Sequence, residues 1–115
     1  MRETPISSHR GLLGSLGEWV AAAFLVRHGA RIEGRNVAAG RGEIDLVATD
    51  ASGCFAVEVK AGMASVNHHP RWNFTDRKAD RVLRSARSLG ILRVDLVTVV
   101  FGPDGATIEW HRRVA

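Results

Sequence analysis

The sequence has a single cysteine, Cys54, among its 115 residues. No intrachain disulfide can form, and a four-cysteine zinc site is excluded. A reducing environment is the natural setting for such a chain. Long hydrophobic runs are missing as well. The longest, Trp19 to Val26, falls far short of the roughly 18 residues that a bilayer-crossing helix needs. The first residues, MRETPISSHRG, lack the basic-then-apolar layout of a secretory signal. These absences predict a cytoplasmic location and no membrane partner. There is no internal repeat, no low-complexity linker, no phosphate-binding glycine loop and no HExxH pair. Lysine is scarce: Lys60 and Lys78 are the only two, so the net charge of +4 comes from arginine. Arginine suits bidentate phosphate contacts, although net charge by itself argues only modestly for nucleic acid.

What is present suits one globular domain. Apolar residues make up 45% of the chain and charged residues 24%, and a chain of this length buries a core without staples. Residues 1–12 read as a flexible tail, and residues 13–115 as the domain. The stretch from Leu16 to His28 is a helix, apolar nearly all round and therefore expected to be buried. Ser15 and Glu18 have the spacing of a capping box at its start, and Gly29 stops it. A short strand around Ile32 follows. Two alternating stretches come next, with Ile44, Leu46 and Ala48 on one face of the first and Phe55, Val57 and Val59 on one face of the second. TDASG between them supplies turn residues, so the pair is an antiparallel hairpin. Thr75 caps a second helix whose apolar face is Ala79, Val82, Leu83, Ala86 and Leu89, and Gly90 closes it. RVDLVTVVFG is a β-branched central strand, and ATIEW is a closing strand. The predicted class is α/β, a mixed sheet flanked by helices, in the order helix, three strands, helix, two strands.

The chemistry, if there is any, lies in the hairpin. Residues two apart on a strand share a face, so Glu58 lies with Lys60, and Asp45 with Glu43. Hairpin pairing sets Asp45 beside Glu58. Two carboxylates and an ammonium then converge. A hard divalent cation is commonly held by one or two carboxylates plus water and phosphate, and such an ion assists phosphodiester hydrolysis. The plainer reading is a solvated strand face with weak cross-strand ion pairs. Glu18 is likewise either a cap or a carboxylate aimed at the sheet. Asp50 fits the hairpin turn and needs no other role. Cys54 reads as a small core residue, Trp110 as core or edge packing, and His68-His69 as a surface or substrate loop.

Between Arg71 and Arg93 the basic residues Arg71, Arg77, Lys78, Arg81, Arg84, Arg87 and Arg93 are opposed only by Asp76 and Asp80. Arg77, Arg81 and Arg84 share a face of the second helix. Its N-terminus attracts phosphate, and Trp72 and Phe74 before it could stack on bases. The alternative is a solvated arginine face.

The segments GSLGEWVAAAFLVRHGARIEGRN, GEIDLVATD, FAVEVK and VDLVTVVFG…IEW, in that order, resemble the YraN-like family of small bacterial proteins. That family is placed among the PD-(D/E)xK nucleases of the restriction-endonuclease-like superfamily, related to archaeal Holliday-junction resolvases. The resemblance spans about residues 10 to 111. It implies an αβββαβ core and a Mg²⁺- or Mn²⁺-dependent endonuclease acting on branched or repair-related DNA. By the same match Asp45, Glu58 and Glu18 would be metal ligands, with Lys60 completing the catalytic set. Lys78 matches the family's basic residue at the start of the second helix, and with Arg77, Arg81, Arg84, Arg71 and Trp72 of the basic stretch it would contact nucleic acid. The residues do not separate DNA from RNA. Symmetric cutting of a junction would require a homodimer. A module that keeps this fold and binds nucleic acid without cutting is the alternative expectation.

Overall fold

The computed structural model describes residues 9–64 and 74–115. The element order is α1 (His9–Arg27), β1 (Arg31–Ala39), β2 (Gly42–Asp50), β3 (Gly53–Met63), α2 (Asp76–Ser88), β4 (Val94–Gly102) and β5 (Gly105–His111). One five-stranded sheet runs in the order β1-β2-β3-β4-β5. Only β3 and β4 are parallel, and α2 lies in the chain between them. The other three pairs are antiparallel. This is the mixed sheet and the αβββαβ order that the sequence predicts.

A helix packs on each face, so the central strands are covered on both sides. On the α1 face Ala21, Ala22 and Leu25 meet Leu46, Ala48, Phe55, Val57, Val97 and Val99. On the α2 face Ala86 meets Ile44, Val47, Ala56, Ile91 and Val94. The hairpin face containing Val47 and Ala56 was expected to be wet; both residues are buried. Alternation of burial is lost because the second helix layer needs its own apolar seat.

Several expectations fail in detail. The first helix starts at His9, not Leu16, so residues 9–12 are helical rather than tail. Ser15 and Glu18 then sit inside the helix, and there is no capping box. Gly11 and Gly14 lower helix propensity and hide the first turns, yet extending a formed helix is easy compared with starting one. Nor is α1 buried all round: Leu12, Leu16, Trp19 and Val26 are exposed. Leu89 is the exposed C-cap of α2 rather than part of its apolar face. Cys54 is exposed too, because the hairpin's turn end projects beyond the helix layers. Thr75 caps α2 as expected, its Oγ1 accepting from Lys78 N–H. Arg71, Trp72 and His68-His69 lie outside the described residues.

One close approach joins the first helix to the hairpin. A Cβ on Gly17 would lie 2.5 Å from the Ala61 Cβ of β3. The missing side chain lets α1 settle directly on β3, beside the neighbouring residues Glu18 and Lys60. Packing explains why the helix tolerates this glycine despite its intrinsic cost of about 1 kcal/mol.

Candidate active site

The strands do not stay paired along their whole length. The last register pair between β2 and β3 is Leu46 with Val57. Beyond it, β2 continues against β1 as far as Gly42, while β3 continues against β4 as far as Met63. The hairpin therefore splays. Asp45 stands at the fork, and its Oδ2 accepts a 2.8 Å hydrogen bond from Val59 N–H. The side chain satisfies a β3 donor that the departing strand leaves unpaired. Asp45 is fixed by this bond, not free on a solvated face.

Glu58 lies opposite on the other arm. Its carboxylate is within hydrogen-bond reach of Asp45, and Lys60 Nζ lies 3.4 Å from its Oε1. Burial pushes the Glu58 carboxyl up to about 7, and the adjacent Asp45 charge adds to the rise. Burial also raises Asp45, against the lowering effect of the Val59 bond and Lys60. Two carboxylates in contact do not both ionise readily without a cation between them. At neutral pH a proton shared on Glu58 partly fills that role.

Both helix layers contribute to the fork. From α1, Glu18 stands near Asp45 and Glu43, and its carboxyl is raised first by burial and then by the Asp45 charge. Asn36, in the left-handed region at φ 50, connects this part. With its amide turned so that the nitrogen rather than the oxygen faces the two carboxylates, it donates to Glu18 Oε1 at 3.0 Å and to Glu43 Oε1 at 3.1 Å. From α2, Lys78, Arg81, Val82 and Ser85 close a cavity of about 190 Å³ with Gly42, Glu43, Glu58 and Lys60. The fork thus gathers Asp45, Glu58, Lys60, Glu18 and Lys78 from four elements. Glu43 belongs to it as well, as a wall residue held by Asn36.

The predicted basic face is divided. Arg81 lines this cavity, whereas Arg77 is exposed on α2 and lines no cavity among those described. Arg84 lines a neighbouring concavity. Phe74, offered for base stacking, is half-buried in a pocket with Leu96, His111 and Val114. Arg93 leaves the basic face altogether. Its side chain is only 7% exposed and ion-paired with Asp95 and Asp50.

Asn36 escaped the sequence reading because its role depends on a strand partner and a helix that no local pattern links. The nearest signal was Asn within a strand run, which suggests a backbone special position.

Among the described residues, no group of three His, Cys, Asp or Glu side chains is placed to hold a metal ion together, so Glu18, Asp45 and Glu58 do not form a three-carboxylate site. The donor set nonetheless suits a hard divalent cation. Mg²⁺ is usually held by one or two carboxylates, with water and substrate phosphate completing the shell, and Asp45 and Glu58 supply such a pair. Burial is the main cause of both raised thresholds, and the Asp45 charge adds to that of Glu58, so a cation between them would offset a cost that both carboxylates carry.

A family model described as "Uncharacterised protein family UPF0102" matches residues 17–99. A UPF0102 protein of Streptomyces coelicolor is 36% identical over 114 residues, covering 90% of this chain and 88% of that one. A UPF0102 protein of Chlorobium phaeobacteroides is 40% identical over 84 residues, covering 72% of this chain and 65% of the relative. The chain thus spans under two thirds of that relative's length. Among solved structures, Pyrococcus furiosus SfsA in complex with Ca²⁺ aligns with a TM-score of 0.38 at 16% identity. That alignment covers 89% of this chain and 63% of the SfsA chain.

Proposed function

The chain belongs to the uncharacterised protein family UPF0102, and from that premise we propose that it is a divalent-metal-dependent endonuclease of branched or repair-related DNA. The observation that carries this reading is the splayed hairpin. It buries Asp45 and Glu58 against each other with Lys60 alongside, where an ordinary sheet would pair two strands.

Asp45 and Glu58 would hold Mg²⁺ or Mn²⁺, and Glu18 would bind a coordinated water. When bound, the ion supplies positive charge to the phosphate oxygens and makes a bound water more acidic. The protein's own groups do the positioning. The Val59 bond fixes Asp45, so the fork keeps its shape before substrate arrives. The Lys60 ammonium faces the same cavity as Glu58. It would orient the attacking water and donate to a non-bridging phosphate oxygen as negative charge grows there. The water oxygen bonds to phosphorus, one ester P–O bond breaks, and the departing sugar oxygen takes up a proton. Lys78 and Arg81, on the cavity's far wall, hold the phosphate against the fork.

The test is a cleavage panel with junction, flap, nicked and linear DNA in Mg²⁺, Mn²⁺ or EDTA. Cleavage is expected with metal only. It should vanish in Asp45→Ala and fall about 10²- to 10⁴-fold in Lys60→Ala, the usual scale for a proton-handling group. Equal cleavage by wild type and Asp45→Ala would refute the assignment. Binding without cleavage under every condition would make the protein a non-catalytic nucleic-acid module.

A further inference from the structure

The fork does not end at its carboxylates. It opens into a second concavity of about 590 Å³ lined by Gly40, Arg41, Gly42, Arg81, Arg84 and Ser85. The two spaces share Gly42, Arg81 and Ser85. One wall is the β1–β2 turn and the other is the middle of α2. The turn sits tight against the helix: a Cβ on Gly42 would lie 2.8 Å from Ser85 Oγ. That seat holds Arg41 at the rim of the groove, across from Arg81 and Arg84.

All three arginines are exposed or half-exposed, and among the described residues no carboxylate is paired with any of them. The acidic residues Glu43 and Glu58 line the first cavity and not the second. The two adjoining concavities thus differ in charge: the first mixes carboxylates with Lys60, Lys78 and Arg81, and the second holds Arg41, Arg84 and the shared Arg81 with no carboxylate in its lining. A ligand that complements both ends carries several phosphates in a row. One meets the fork, where a cation is required, and the next meet arginine directly.

We infer that Arg41, Arg81 and Arg84 grip the sugar-phosphate backbone of the substrate strand adjacent to the cleaved linkage, so that the protein acts within polynucleotides rather than on small phosphodiesters. The inference rests on the phosphodiesterase reading of the fork, but binding tests it without cleavage. Asp45→Ala protein in EDTA is titrated against a fluorescein-labelled single-stranded DNA, its duplex, and the RNA of the same sequence, at several salt concentrations. Adding Arg41→Ala or Arg84→Ala is expected to reduce the slope of log affinity against log salt by about 0.7 for single strands. Arg27→Ala, the same charge change at the C-terminal end of α1, should leave the slope unaltered.

Wild-type slope and affinity in the Arg41 variant would overturn the inference, as would an equal loss in the Arg27 variant. So would failure of the Asp45→Ala protein to bind any of the three polymers at low salt. The salt-slope losses without cleavage by the wild type would support the groove and count against the hydrolase reading alone. Tighter binding of the RNA than of either DNA would support the groove with a ribopolymer as its occupant.

Discussion

Two carboxylate clusters sit at different places in the same sheet, and they have opposite electrostatics. One contains Asp95, fully buried in β4, which accepts from Arg93 Nε at 2.9 Å and Nη2 at 2.7 Å. It also accepts from Trp110 Nε1 at 2.8 Å and Arg113 N–H at 2.9 Å. Asp50 joins through Arg93, which in turn lies 4.0 Å over the Phe55 ring. Burial alone would push Asp50 up, but Ser52 N–H and Arg93 hold it below the usual carboxylate range. The other cluster is the fork, where Asp45, Glu58 and Glu18 are all raised. The first cluster carries its own cation, locked in place. In the second, Lys60 lies 3.4 Å from Glu58, while Lys78 and Arg81 line the same cavity without an ion pair to its carboxylates among the described residues. Acidic groups packed for stability are matched with donors. Carboxylates left with raised thresholds in a cleft are candidates for a functional site, which is what the proposed metal-binding role of the fork requires.

That contrast predicts opposite responses to mutation. Removing Asp95 leaves buried Arg93 with only its longer contacts to Asp50, so Asp95→Ala should destabilise the fold by about 3 to 5 kcal/mol. Thermal or urea unfolding measures this, and a loss under about 1 kcal/mol would break the first half of the comparison. Gly17→Ala should cost about 1 to 3 kcal/mol through overpacking against Ala61. Because it lifts α1 where Glu18 is seated, it should also reduce cleavage by more than its stability loss explains. Wild-type turnover in the folded variant would detach Glu18 from the site.

Glu58→Gln should act in the reverse direction. The folded-state threshold of Glu58 lies above its ordinary 4.5, at about 7, so the folded protein holds that proton more tightly. Wild-type stability then declines as pH rises from about 4.5 through 7, and the glutamine variant escapes this decline. At pH 8 in EDTA the variant should be more stable by on the order of 2 kcal/mol, with the gain gone below about pH 4.5 and cleavage lost throughout. Asp50→Asn gives the smallest change and the opposite pH dependence. The depressed Asp50 stabilises above its unfolded value of about 3.9. Its contribution, about 1 kcal/mol at pH 7, is lost as pH falls through the folded-state value. Parallel pH profiles for the two variants would erase the distinction between the clusters.

How much of this was legible in the chain depends on the range of the signal. Ile44, Leu46, Val57 and Val59 announce their strands by alternation, and TDASG fixes the pairing, so the proximity of Asp45 to Glu58 follows from local pattern. The splay between them does not, since it depends on β1 and β4 drawing the two arms apart. Asn36 and Arg41 act through the β1–β2 pairing and the seat of the turn on α2, which are tertiary facts. Asp95 did leave a trace. An acidic residue within VDLVTVV, a run fit for a fully covered strand, must find a partner inside the protein, and Arg93 two residues earlier shares its face. Counting Arg93 with the surface arginines overlooked that constraint. The early start of α1 was hidden by Gly11 and Gly14, whose low propensity is outweighed once the helix extends from its packed portion.

The central claim is that the fork carboxylates, unlike those held by Arg93, take up a divalent cation. The most direct measurement is thermal unfolding at pH 8 of wild type, Glu58→Gln and Asp95→Asn, each in EDTA and in millimolar Mn²⁺. Mn²⁺ should raise the midpoint of the wild type and of Asp95→Asn by several degrees, as mass action requires of an ion bound only by the folded state, and leave Glu58→Gln where it was. An unchanged wild-type midpoint, or an equal rise in Glu58→Gln, would contradict the account.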